Sequence, residues 1–366
     1  MPEIRLEPRT GPSLAASFLV SATAVVLTAI AGSLLFMLYG KSPAAGFHAF
    51  FIEPLLSRYG IGEVLLKMGP LLLIAQGLAI GFRARLWNIG AEGQLLIGAI
   101  LAGTIAIMFE SSDSILLLPL MVLAGAAGGM AWASIAAYLK VRFHANEILV
   151  TFMLSSIALQ LLYYLVTGPL KDPQGFNFPQ SITFGDAAMF PVIMDGTRVN
   201  ASLYLGLAAT VIAWVLMQRT LAGYKLIVGG LAPGAARYAG FSANRTVWIC
   251  LLIGGAAAGI AGVGEVAGPL GMLQRNISHG YGYAAIIVAF LGGLHPVGIL
   301  ISSALMALIY VGGDFARLSI GLPSAVTTIF QGMLLVFYLA SSLLLTHRVR
   351  FGASRPRQTA GETANG

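Results

Sequence analysis

Long uninterrupted apolar runs separated by short polar stretches dominate the chain. Reading runs of roughly 17–25 residues as membrane-crossing helices predicts spans at 14–39, 63–82, 86–109, 115–139, 147–168, 202–217, 246–264, 281–294, 296–312 and 324–345, ten in all. The runs do not alternate as barrel strands would, so the backbone must satisfy its own hydrogen bonds within helices. The segments at 202–217, 281–294 and 296–312 are short for a full crossing. The pair around Pro296 also fits one broken helix with a re-entrant piece.

Two polar stretches interrupt the pattern. Residues 169–201 carry Pro173, Pro179 and Pro191 with Asp172, Asp186 and Asp195, which reads as an ordered or semi-ordered loop outside the membrane. It divides a transmembrane domain at 14–345 into two halves of five spans, flanked by tails at 1–13 and 346–366. Residues 218–245 form the longest stretch on the other side. There Pro233 is placed to open a short helix and Gly240 to close it.

Composition narrows the class. With 57% hydrophobic and 10% charged residues and a mean hydropathy of +0.85, the chain lies outside the range of soluble domains. Forty-five glycines and sixteen prolines suit helices that pack closely and break in places. With both termini inside, fourteen Lys and Arg fall on the cytoplasmic side, against six on the other side together with nine acids. That is the asymmetry expected of a multi-pass protein. It accounts for the pI of about 9.6 through contact with anionic lipid, and no clustered basic and aromatic surface points to nucleic acid. Cys250 stands alone in an apolar span and implies neither a disulfide nor a metal site. The first span is too long for a signal-peptide core and is read as retained.

The candidate chemistry centres on Trp87-Asn88-Ile89-Gly90-Ala91-Glu92-Gly93-Gln94. An ionisable residue inside a span is costly and marks a functional site by default. If the whole run is helical, Asn88 and Glu92 share one face, while Gly90, Gln94, Gly98 and Ala102 form another at small-residue spacing. Equally, Asn88 could cap the helix and Glu92 could complement its positive end. Glu265, in a run broken by glycines and Pro269, reads either as an exposed loop acid or as a second polar group on a solute path. Arg275-Asn276-Ile277-Ser278-His279-Gly280 interrupts the second half where Arg85 to Gly90 interrupts the first, from the opposite side of the membrane. This points to an inverted repeat with a binding site near its interface. His279 and His295 lie in turns, and Trp87, Trp132, Trp214 and Trp248 near span ends suit interfacial anchors.

Catalytic motifs are missing. Gly40-Lys41-Ser42 ends like a phosphate-binding loop, but Leu35 stands where its first glycine must be. Zinc-protease and nucleophile-elbow spacings are also lacking. No catalytic residue, cofactor or metal is expected, and any ATP hydrolysis belongs to another chain.

The runs "GLAIGFRARLWNIGAEGQLLIGA", "NEILVTFMLSSIAL" from Asn146, "GYKLIVGGLAPGAARYAGFS" from Gly223, "GAAAGIAGVGEVAGPLGML" from Gly255 and "GYGYAAIIVAFLGGLHPVGILISS" from Gly280 resemble the permease subunit of bacterial ATP-binding cassette (ABC) importers for nucleosides and simple sugars. The resemblance covers about residues 63–345. It implies an all-α polytopic fold of about ten helices in two inverted five-helix repeats, type II-like, in the inner membrane with both termini cytoplasmic. It also implies three partners: a cytoplasmic ABC ATPase, a second homologous permease forming a heterodimer, and a substrate-binding lipoprotein or periplasmic binding protein. Residues 218–245 would couple to the ATPase through Gly223, Ala236, Arg237 and Gly240. Asn88, Glu92, Gln94, Glu265 and Asn276 would serve the solute path. The family usually has arginine and asparagine where Ile227 and Ala232 stand, and often Asn-Tyr at Ser155 and Ser156. The alternatives are a pentose or hexose permease or an ion-coupled carrier.

Overall fold

The computed structural model describes residues 3–8 and 14–352. Arg9, Arg355 and Arg357, counted above in the cytoplasmic tails, lie outside the described residues. At the ends, β1 (Glu3–Pro8) pairs antiparallel with β2 (His347–Gly352), Glu3 opposite Gly352 and Pro8 opposite His347. Both ends of the described chain therefore lie on one face of the bundle, here the terminal side.

The first half runs through α1 (Leu14–Leu38), the short α2 (Pro43–Phe47), α3 (Arg58–Arg83), α4 (Ala91–Met108), α5 (Leu117–Phe143) and α6 (Glu147–Thr167). The second runs through α7 (Ser202–Arg219), α8 (Leu221–Leu231), α9 (Pro233–Tyr238), α10 (Ala243–Glu265), α11 (Tyr281–Leu291), α12 (Pro296–Ile320) and α13 (Ala325–Thr346). Among the described residues nine helices are long and apolar enough to cross a membrane. An odd number of crossings would separate the paired ends. The tenth is α11, whose eleven residues rise about 16 Å, roughly half an apolar core, with the non-helical segment 271–280 beside it.

The span predicted at 281–294 is therefore only half a crossing, whereas that at 296–312 extends to Ile320, where Gly321 at φ +69° caps it. The span at 63–82 starts earlier, at Arg58, because Ser57 accepts from the Gly60 amide and caps the helix. Glu63 and Lys67 therefore lie within α3 rather than at its start. The span at 86–109 starts only at Ala91.

The halves are related as an inverted repeat. α3 and α10 pack on each other; α4 and α5 lie against α10 as α11 and α12 lie against α3, and α6 meets α4 as α13 meets α11. Lipid gives no hydrophobic drive to helix pairing, so backbones must approach closely. A Cβ on Gly98 would lie 2.4 Å from Gly259 Cα, and one on Gly129 would lie 1.9 Å from the Gly255 oxygen. Of the small-residue face predicted on α4, Gly98 lies in the seam with α10, while Gly90 precedes the helix and meets Thr151 of α6.

On the far side, residues 169–201 are ordered by the break after α10. A π-helical turn at Val266–Leu270 contains Pro269, and irregular backbone there leaves carbonyls to be satisfied by other segments. The amides of Phe190, Phe184 and Ser181 donate to the oxygens of Ala267, Gly271 and Leu273 at 2.7, 2.7 and 2.8 Å. Arg198 closes a two-pronged bond to Glu63 at 2.9 and 2.6 Å. That carboxylate raises the arginine pKa further above its ordinary value, against the opposing effect of burial.

Candidate functional site

The N-termini of α4 and α11 meet head to head between the two repeats. A Cβ on Gly282 would lie 2.2 Å from the Glu92 nitrogen, so only glycine permits the approach. Glu92 Oε2 accepts from the Gly282 amide at 2.7 Å, and the Ser278 side chain and Gly280 amide also bond to this carboxylate. Thr151 and Ser155 of α6 accept from the amides of Ile89 and Gly93, each at 3.2 Å. Each helix start carries about half a positive charge. One carboxylate between two such ends is matched in charge as well as in hydrogen bonds.

Asn88 is not on the same helix as Glu92. Gly90 is the N-cap of α4, so Asn88 lies in the preceding turn and the shared face predicted for the pair does not form. Instead Asn88 Nδ2 donates to Gln94 Oε1 at 2.9 Å and Gln94 Nε2 donates back at 3.1 Å. Asn88 Oδ1 also accepts from the Gly90 amide at 3.0 Å. The two amides are buried, and each answers the other's hydrogen-bonding needs.

Glu265 is the last residue of α10 and is 6% exposed, which overturns the reading of an exposed loop acid. The loop at 169–201 folds over this end, and Lys67 and Arg198 are the cations acting on the carboxylate. Asn276 is exposed in the segment 271–280, next to Arg275, whose guanidinium lies 4.8 Å from the Tyr163 ring centre. The structure gathers Asn88, Glu92 and Gln94 at one seam and places Glu265 and Asn276 toward the far side.

A cavity of about 750 Å³ opens between one face of α11 and one face of α13. The α13 face carries Thr328, Gln331 and Leu335 at helical spacing, with Ser324 just before the helix. Behind it, Lys67 Nζ lies 3.9 Å from Asp314 Oδ2 and 5.9 Å from the Tyr310 ring centre, and the Tyr310 hydroxyl donates to the His279 oxygen at 3.1 Å. One turn nearer the terminal side, the same faces carry Phe290 and Tyr338, with ring centres 6.5 Å apart. Phe290 stacks on Phe82 at 5.0 Å and on Trp87 at 5.5 Å. These rings form an aromatic floor, and Trp87 is part of it rather than only an anchor. Lys67, Tyr310, Asp314 and Gln331 were not singled out from sequence, although a lone lysine inside an apolar span is a usable signal.

At the terminal side, Pro233 opens α9 and Gly240 at φ +77° ends it, as the sequence predicts. Gly223 and Ala236 are buried. A Cβ on Gly223 would lie 2.3 Å from the Leu216 oxygen, so this glycine makes the turn from α7 to α8. Arg237 and Gly240 are exposed, and Tyr238, missed by the sequence reading, is 99% exposed. A groove of about 760 Å³ bordered by Arg237, Phe241, Asn244 and Lys140 runs beside them.

Residues 60–339 match the family described as the branched-chain amino acid transport system permease component. The chain is 35% identical to a glucose ABC transporter permease of Haloferax volcanii, over 100% of this chain and 98% of that one. It is 31% identical to the guanosine ABC transporter permease NupP of Bacillus subtilis, over 88% and 93% of the two chains. Identity to a second guanosine permease of that organism, NupQ, is 25% over 78% and 89%. The chain therefore belongs to this family and is the membrane-spanning permease component of an ABC importer, which works with a separate ATPase and a solute-binding protein.

Proposed function

We propose that this permease conducts a neutral hydroxylated solute, a nucleoside or a simple sugar, into the cytoplasm across the inner membrane. The observation that carries the reading is the polar part of the α11–α13 cavity lining, set among aliphatic residues such as Ile286 and Leu335: hydroxyls, phenols, His279 and an amide, with Lys67 and Asp314 set against each other. Such a surface supplies donors and acceptors without net charge, which is what a ribose or polyol requires. The relatives named for glucose and guanosine import support the same class.

The terminal side is cytoplasmic in this reading, as the excess of Lys and Arg there requires. The Asn88–Gln94 and Glu92 seam is the pivot between the repeats, and Glu265 and Asn276 line the far-side approach. Gly223 and Ala236 hold the coupling stretch in shape while Arg237 and Gly240 meet the ATPase. Two guanosine permeases in Bacillus subtilis resemble this chain, which supports a heterodimer with a second homologous permease.

Uptake of labelled purine and pyrimidine nucleosides, ribose, xylose and glucose, in cells with and without this chain and with the ATPase intact or inactivated, tests the proposal. Loss of the same solute class in both deletions is the expected result. Loss with this chain alone would point to an ion-coupled carrier. A sugar-only permease is the second reading, supported by the full-length match to the glucose permease; glucose uptake that nucleosides do not compete with would select it.

A further inference from the structure

Two opposite charges line the α11–α13 cavity and stop short of each other. Lys67 Nζ of α3 and Asp314 Oδ2 of α12 are 3.9 Å apart, too far for a hydrogen bond and near enough to attract. The other carboxylate oxygen, Asp314 Oδ1, lies at the same 3.9 Å from Arg317 Nη2, one turn along α12. Among the described residues neither Lys67 nor Asp314 has a hydrogen-bond partner. An ammonium with three donors and a carboxylate with two accepting oxygens thus border one cavity with their hydrogen bonds unmade. On charged groups inside membrane spans that is costly unless something binds there.

The gap has the size of a hydroxyl group. An oxygen about 2.7 Å from a carboxylate oxygen and about 2.8 Å from an ammonium bridges 3.9 Å with an angle of about 90° at its own centre, which a hydroxyl can accommodate. A hydroxyl is also the neutral group that donates to the acid while accepting from the base. We propose that Lys67 and Asp314 are specificity-determining residues that bind a vicinal diol of the solute, one hydroxyl bridging Lys67 Nζ and Asp314 Oδ2 and its neighbour donating to Asp314 Oδ1. Adjacent hydroxyls match the two oxygens of one carboxylate as a forked donor does. The assignment rests on the reading that this cavity conducts a hydroxylated solute, and it narrows that class to solutes with neighbouring hydroxyls, which ribose and glucose rings both carry.

The test uses the complete complex of both permeases, ATPase and binding protein in proteoliposomes. The binding protein is supplied fully loaded, so that its own selectivity does not enter. Guanosine is paired with the dideoxy analogue that lacks both ribose-ring hydroxyls, and glucose with the dideoxy analogue that has no two adjacent hydroxyls. The readout is the ratio of import rates within each pair. For the pair that is imported, the wild type should favour the diol about tenfold, the size of one lost hydrogen bond to a charged group. Asp314→Asn should bring that ratio to within about twofold of unity. Lys67→Met combined with Asp314→Asn, which strands no charge, should do the same. A fall in both solutes at an unchanged ratio is what a purely structural ion pair would give, and it would overturn the assignment. A wild-type ratio near unity, the result if only water fills the gap, would overturn it too while leaving the solute class standing. A wild-type complex that imports neither guanosine nor glucose would overturn the solute class itself, and the assignment with it.

Discussion

Glu92→Ala is expected to abolish import and to destabilise the permease by about 2–5 kcal/mol, the cost of leaving buried amides and two helix starts without their anion. The carboxylate bonds to the Gly282 amide across the junction of the repeats, so its loss removes a joint between halves as well as a cap. Glu92→Gln keeps an acceptor for that amide but removes the charge that answers the two helix ends. It is expected to fold with a smaller loss and to import more slowly than wild type. Thermal unfolding of the purified complex together with solute uptake separates these effects. Full uptake by Glu92→Gln would show that the negative charge plays no part in transport.

Gly332→Trp is expected to block import while leaving the fold intact. Around Gly332 there is open space where a Cβ would go, and the residue borders the α11–α13 cavity. An indole there enters the cavity without displacing backbone, so stability should change by no more than about 0.5 kcal/mol. The uptake rate should fall at least about tenfold, since the ring occupies the volume through which solute passes. An unchanged rate in stably assembled complex would remove this cavity from the path. The contrast with Gly129, whose Cβ would lie 1.9 Å from the Gly255 oxygen, separates a glycine that leaves room for solute from one that lets helices touch.

Much of the bundle is legible in the chain because apolar runs of membrane length have few alternatives to a helix. Element ends are less legible. Lys67 and Asp314 face one cavity, yet a span from 63 places Lys67 in the helix without its partner and a span ending at 312 leaves Asp314 in a loop. The true ends are set by the Ser57 cap and the left-handed Gly321, which polar residues near the span ends mask. The run from Arg85 to Gly90 was legible as an interruption and Asn88 as a possible cap, but spacing alone did not choose between that reading and a continuous helix, and α4 waits until Ala91. That Glu92 would sit near a positive helix end was legible; that the end belongs also to α11, 190 residues away, was not. Glu265 was ambiguous for the same reason. Its burial depends on the returning loop at 169–201, a contact that spacing along the chain cannot encode.

The most direct measurement is cysteine accessibility in the assembled importer. The chain has one cysteine, Cys250, and it is 3% exposed, so an introduced thiol is read against a quiet background. Without ATP, Thr328→Cys should react with a membrane-impermeant maleimide added from outside and thereby lose import, while Tyr338→Cys, in the aromatic floor, should stay unlabelled. A Thr328→Cys that is unreactive from outside, or that is labelled with import unchanged, would contradict a solute path between α11 and α13.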